Sequence, residues 1–153
     1  MRIEIKKLIQ CIALPLAVGL VSSFLSRSGM ASFDQINKPP LSPPGWLFPI
    51  VWTILYIFMG IASYLILTSK KECRFPLTVY GIQLIFNFFW PIFFFRLERY
   101  LFSFFWLVIL WLLILAVILL FRQISKPAAY LMIPYLIWVT FAGYLNFAIF
   151  LLN

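Results

Sequence analysis

The chain contains no histidine. That removes the commonest general base and metal ligand and the usual axial ligand of haem iron. Cysteine is nearly absent: Cys11 and Cys73 stand far apart and match no metal-binding or redox spacing. Charge is scarce as well, at 10% of 153 residues, and the four acids are Glu4, Asp34, Glu72 and Glu98. No two of them form an acid–base pair. With no histidine and two isolated thiols, there is no nucleophile–base pair either. No Asp, Glu, Lys or Arg falls well inside an apolar run. Proton relays and ion-coupled carriers keep ionisable groups at membrane depth, so both classes are disfavoured. No inverted repeat is evident.

Apolar surface is what the chain has instead. Residues are 65% hydrophobic and 20% aromatic, with mean hydropathy +1.05, against about half apolar and a quarter charged in an ordinary soluble domain. Several apolar runs exceed the ~18 residues needed to cross a bilayer. The reading is a single-domain, all-α membrane protein, a five-transmembrane-helix bundle, with helices at about 8–25, 46–67, 76–95, 100–121 and 128–152. The first apolar run follows basic residues as a signal peptide does, but it is long for a cleaved segment and is read as a retained helix. The net charge of +8 comes from 12 basic residues in flanks and loops. It is read as membrane topology and not as a nucleic-acid surface. Eight basic residues flank one side of the spans and four the other, which places the N-terminus in the cytoplasm and the C-terminus outside.

The segment KPPLSPPGWLFPIVWTILYIFMG, residues 38–60, organises the chain. Pro39, Pro40, Pro43 and Pro44 cannot continue a helix and hold their predecessors extended. A stiff lid over 26–45 therefore leads into a helix carrying Trp52, Tyr56 and Gly60 on one face. Helix 3 carries Gln83, Asn87, Trp90 and Phe94 as a stripe. Amides are costly in hydrocarbon without partners, so this stripe faces the bundle interior. Helix 5 presents Tyr135, Trp138, Ala142, Leu145 and Asn146 on one side. In helix 1, Pro15 predicts a kink, and Ala13, Ala17 and Gly19 predict a small-residue packing face. Trp52, Tyr56, Asn87, Trp90, Trp138 and Ala142 are placed to converge on one cavity suited to a flat apolar ligand. Trp46 reads as an interfacial anchor, and Trp106 and Trp111 as packing or lipid contacts. For Trp52 and Trp138, packing and ligand contact both remain open on these grounds.

Three segments resemble the signatures of the TspO/MBR family, the tryptophan-rich sensory proteins and translocator proteins also called peripheral-type benzodiazepine receptors. They are KPPLSPPGWLFPIVWTILYIFMGIA, QLIFNFFWPIFFF and AAYLMIPYLIWVTFAGYLNFAIFLLN. The resemblance implies a five-helix bundle, often a homodimer, in the membrane. It implies binding of a tetrapyrrole such as protoporphyrin IX as ligand, with no other cofactor, no metal and no nucleic acid. The implied ligand-binding positions are Phe33 and Pro43, then Phe48, Trp52 and Tyr56, then Gln83, Asn87 and Trp90, then Trp138 and Ala142. It leaves three further roles open: light-dependent porphyrin degradation using Trp52 and Trp138 as catalytic residues, facilitated porphyrin transport, and a regulatory scaffold. Tyr144 is followed by LNFAIFLLN, without the basic residue of the family's cholesterol-recognition pattern, which counts against sterol. With that pattern missing, a bacterial plasma membrane is the implied location.

Overall fold

Hydrocarbon offers no partner to a free backbone N–H or C=O, so apolar runs of this length become helices. The structure, a computed structural model, describes residues 2–153. It contains α1 (Ile5–Phe33), α2 (Leu47–Leu67), α3 (Arg74–Pro91), a π-helical turn (Ile92–Arg96), α4 (Tyr100–Arg122) and α5 (Lys126–Leu152). All five long helices are long and apolar enough to span a membrane. Local chemistry fits the boundaries. The Ser125 hydroxyl accepts from the Ala128 N–H at 3.3 Å, capping α5, and Pro127 sits in the first turn, where a missing N–H costs little. Threonines inside the helices return their hydroxyls to carbonyls four residues back, as Thr53 does to Pro49 at 2.7 Å.

The helices close into a ring in the order α1–α2–α5–α4–α3, with α3 and the π turn returning to α1. The core is aliphatic and aromatic: Met59, Ile66, Ile114, Val117, Phe121, Met132 and Tyr135 have no solvent exposure. Trp106 and Trp111 serve packing. Trp106 stacks on Phe86 with centroids 4.2 Å apart and donates to the Phe86 carbonyl at 2.8 Å. Trp111 donates to the Thr140 hydroxyl at 2.8 Å.

Two expectations for α1 need correction. The helix does not stop at residue 25; it continues to Phe33, so the lid is shorter, from Asp34 to Trp46. At about 1.5 Å per residue, its 29 residues reach beyond a hydrocarbon core of about 30 Å. The extra turns are held by close backbone approach and by the buried Phe33 ring, which packs against Phe48, Phe94 and Phe95. Gly29 lies against the Phe95 carbonyl so closely that a Cβ would collide with it, and the Arg96 guanidinium donates to the Leu25 carbonyl at 3.3 Å. The second correction concerns the small-residue face. Gly19 is buried, while Ala13 and Ala17 are exposed. Gly19 follows Ala17 by two residues, about 200° around the helix, so the three cannot share one side. Pro15 lies within α1, buried against the bundle.

Pro91 explains the π turn. It lacks the N–H of the next ladder bond, and the chain widens at once: Leu97 N–H bonds to the Ile92 carbonyl at 2.9 Å, five residues back. The Phe88 carbonyl accepts from the Ser22 hydroxyl at 2.7 Å, which ties α1 to the distorted region. Glu98, with φ 53°, ends the element in the left-handed region.

Gly29 yields a signed prediction. Alanine in a helix is ordinarily favoured over glycine by about 1 kcal/mol, but overpacking against fixed backbone costs roughly 1–3 kcal/mol. Gly29→Ala should therefore lower thermal stability in detergent. Gly81→Ala, where a Cβ meets nothing within 4 Å, should hold or raise it. Equal effects at the two positions would contradict the packing assignment.

Candidate functional site

At the lid end of the ring, α1, α2, α3, the π turn and α5 leave a cavity of about 280 Å³. Small-molecule pockets typically run from about 300 to 1,000 Å³, so it lies just below that range. Its wall brings together seven of the residues expected from sequence: Phe33, Phe48, Trp52, Tyr56, Trp90, Trp138 and Ala142. The helical register accounts for this. Phe48, Trp52 and Tyr56 recur at intervals of four on α2, and Trp138 and Ala142 do so on α5. Both ends of the lid contribute as well, through Asp34 and Gly45.

The rings are arranged as a lining. Trp52 stacks on Tyr56 at 5.5 Å and 28° and meets Tyr135 edge-on at 6.1 Å. Phe48 stands edge-on to Trp138 at 5.9 Å and to Phe33 at 6.1 Å. Trp90 stacks on Phe94 at 5.1 Å. Such offset and edge-on pairs are the favoured aromatic geometries. Trp46, by contrast, is exposed at the start of α2 and outside the wall.

Three expected residues are not in the wall. Pro43 lies in the lid without lining the cavity. Asn87 and Gln83 are buried behind Tyr56 in a directional chain. The Tyr56 hydroxyl donates to Asn87 Oδ1, Asn87 Nδ2 to the Tyr135 hydroxyl, and that hydroxyl to Gln83 Oε1, each at 2.8 Å. The amides thus link α2, α3 and α5 and fix the Tyr56 ring, without facing the cavity.

The sequence reading missed the contribution of α1 and the π turn: Gly19, Ser22, Ser23, Met30 and Phe95 also line the cavity. Gly19 carried a signal, since only a residue without a side chain fits beneath the Tyr56 ring. Met30 carried none, because it lies beyond the apolar run. Among the described residues no cluster of three His, Cys, Asp or Glu forms.

The lid is tied to the end of α5. Asn37 N–H donates to Asn153 Oδ1 at 3.2 Å, and Asn153 Nδ2 returns a bond to the Asn37 carbonyl at 2.9 Å. The Tyr144 hydroxyl donates to the Pro40 carbonyl at 2.9 Å. Between prolines, Leu41 is 82% exposed and held at φ 71°, a conformation unfavourable for a branched side chain.

A transmembrane helical bundle with an aromatic cavity beneath a proline-stiffened lid is the class these features define. The TspO/MBR family profile matches residues 11–152. The tryptophan-rich protein TspO of Chlorobaculum tepidum is 42% identical over 98% of both chains. That of Archaeoglobus fulgidus is 36% identical over 98% of this chain and 99% of its own. The translocator protein of Ovis aries is 36% identical over 84% of this chain and 78% of its own. The chain belongs to the TspO/MBR family.

Two measurements check the geometry. Asn87→Leu leaves the Tyr56 hydroxyl without a partner and the Tyr135 hydroxyl with Gln83 alone. At roughly 1–3 kcal/mol for a stranded buried group, it should lower the Tm measurably. Asn153→Ala combined with Tyr144→Phe should speed amide exchange in the 34–46 lid by about tenfold, the equivalent of about 1.4 kcal/mol, and leave exchange in the helix interiors unchanged.

Proposed function

We propose that this protein binds a flat tetrapyrrole of the protoporphyrin IX type between Trp52 and Trp138, roofed by the 34–46 lid. One observation carries the reading: rings from α1, α2, α3, the π turn and α5 line a single cavity, with Trp52 and Trp138 both in its wall. Aromatic faces stack on an extended π system, and the tethered lid excludes water above it. A macrocycle would fill more than the resting volume, so entry would displace the lid outward. Phe33, Phe48, Tyr56, Trp90 and Ala142 complete the contact surface. Asn87 and Gln83 support it from behind.

The role this serves is sensory or porphyrin-handling. The protein would sit in a bacterial plasma membrane with its basic end (Arg2, Lys6, Lys7, Lys70, Lys71, Arg74, Arg122 and Lys126) in the cytoplasm and the lid outside. Exposed Ala13 and Ala17 on α1 support a homodimer through that face.

A second reading is favoured by Trp52 and Trp138 lining the same cavity, with Trp52 stacked on Tyr56. An indole can give one electron to a photoexcited porphyrin, leaving an indole radical cation and a porphyrin radical anion. Dioxygen adds to that anion and the adduct returns the electron to the indole, so that one porphyrin and one dioxygen give an oxygenated, ring-opened product. This would make the site a light-dependent porphyrin-degrading one.

Titration of purified protein with protoporphyrin IX, following tryptophan fluorescence in the dark and then under light, separates the readings. Saturable quenching, lost when Trp52→Phe and Trp138→Phe are combined, is expected. Stable absorption bands under illumination would identify a binder. Bands that decay only with both indoles present would identify catalysis. Quenching unchanged in the double variant would refute the site.

A further inference from the structure

We propose that Asn146 is a positioning residue for the cavity: its amide sets the rotation of the Trp90 indole, so that a ligand meets the ring and not its N–H. The inference rests on the cavity being the ligand site. Asn146 lies on α5 with no solvent exposure and does not line the cavity. Its Oδ1 accepts from Trp90 Nε1 at 3.0 Å and from the Ser103 hydroxyl at 3.1 Å. Its Nδ2 donates to the Tyr100 carbonyl at 2.7 Å. The indole N–H on one side and the Tyr100 carbonyl on the other fix the amide in one orientation, because a flip would set carbonyl against carbonyl. The single Ser103 proton is shared between Asn146 Oδ1 and the Tyr100 carbonyl.

Trp90 is held in turn. Phe94 stacks parallel to its ring at 5.1 Å and 21°, Phe95 meets it edge-on at 6.1 Å, and its N–H edge belongs to Asn146. What remains of the indole is a cavity wall. A buried indole N–H without a partner is costly, so loss of the Asn146 acceptor would turn the ring toward any other acceptor, including one on a ligand. A consequence for ligand class follows. With the Trp90 N–H and the Tyr56 hydroxyl both committed within the protein, these two walls offer π surface alone. A polar edge of the ligand is left to the Trp138 N–H, which is buried in the wall without a partner, and to Ser23 and Asp34.

The test is a double-mutant cycle with a ligand-free readout beside it. Protoporphyrin IX affinity is measured by fluorescence quenching for the wild type, Asn146→Leu, Trp90→Phe and the double variant. Asn146→Leu should weaken binding about tenfold where Trp90 is present, and less than about twofold in the Trp90→Phe background. Equal losses in both backgrounds would overturn the proposal, because Asn146 would then act only by joining α5 to α4 through Tyr100 and Ser103. In ligand-free protein, the Trp90 indole N–H resonance, assigned by its absence in Trp90→Phe, should exchange slowly with deuterium. Exchange as fast as that of exposed Trp46 would overturn it even if Asn146→Leu fails to fold. If the wild type binds no porphyrin while the Trp90 N–H is protected, the tetrapyrrole reading fails and the positioning of Trp90 stands.

Discussion

An amide inside hydrocarbon has no water to turn to, and the bundle is built around meeting that demand. Asn87 accepts from Tyr56 on α2 and donates to Tyr135 on α5. A single side chain of α3 therefore sets the mutual rotation of three helices. Apolar packing alone gives membrane helices little rotational preference, since lipid tails are as apolar as leucine. Directional hydrogen bonds supply it. Once α2 is rotated so that Tyr56 reaches Asn87, Trp52 and Phe48 follow on the same face, and the aromatic wall is a consequence of that one constraint. Asn146 performs a parallel task for α3, α4 and α5 one layer nearer the lid.

The same logic marks where the sequence was readable. The intervals of four on α2 and α5 expose Trp52, Tyr56, Trp138 and Ala142 as facing inward, because period alone determines face. Period does not determine depth or partner. Gln83, Asn87 and Trp90 form one stripe, yet only Trp90 reaches the cavity, since the two amides are drawn into a chain between tyrosines on other helices. The true end of α1 was hidden for a different reason. Its last turns are held by contact of Gly29 with the Phe95 carbonyl and by the Phe33 ring among Phe48, Phe94 and Phe95. One glycine and one ring leave no continuous apolar run to find. Pro91 announced a disturbance in α3, but not that the chain would answer by widening into a π turn that carries Phe95 into the wall.

Membership of the TspO/MBR family and a five-span helical membrane fold rest on the match across nearly the whole chain. Ligand chemistry is a separate matter, argued from rings and their partners. The cavity is small when closed, its aromatic polar atoms on Tyr56 and Trp90 are turned into the protein, and its lid is fastened to α5. These features belong together. A wall built mainly of ring faces gains from excluding water, and a fastened lid does this around the Trp138 indole N–H, which is left without a partner.

The ring order has a consequence for how the site comes into being. Chains enter the membrane from the N-terminus as they are synthesised, so α1 with α2 and α3 with α4 are available as hairpins before α5 emerges. Yet α5 does not join the edge of that assembly; it lies between α2 and α4. The four earlier helices must either hold a gap open or part to admit the fifth. Trp138, Ala142, the Asn146 amide and the Asn153 tether all arrive with it. Until the ribosome has delivered α5, the nascent bundle has neither a closed wall nor a fastened roof, and the cavity is the last feature of the molecule to exist.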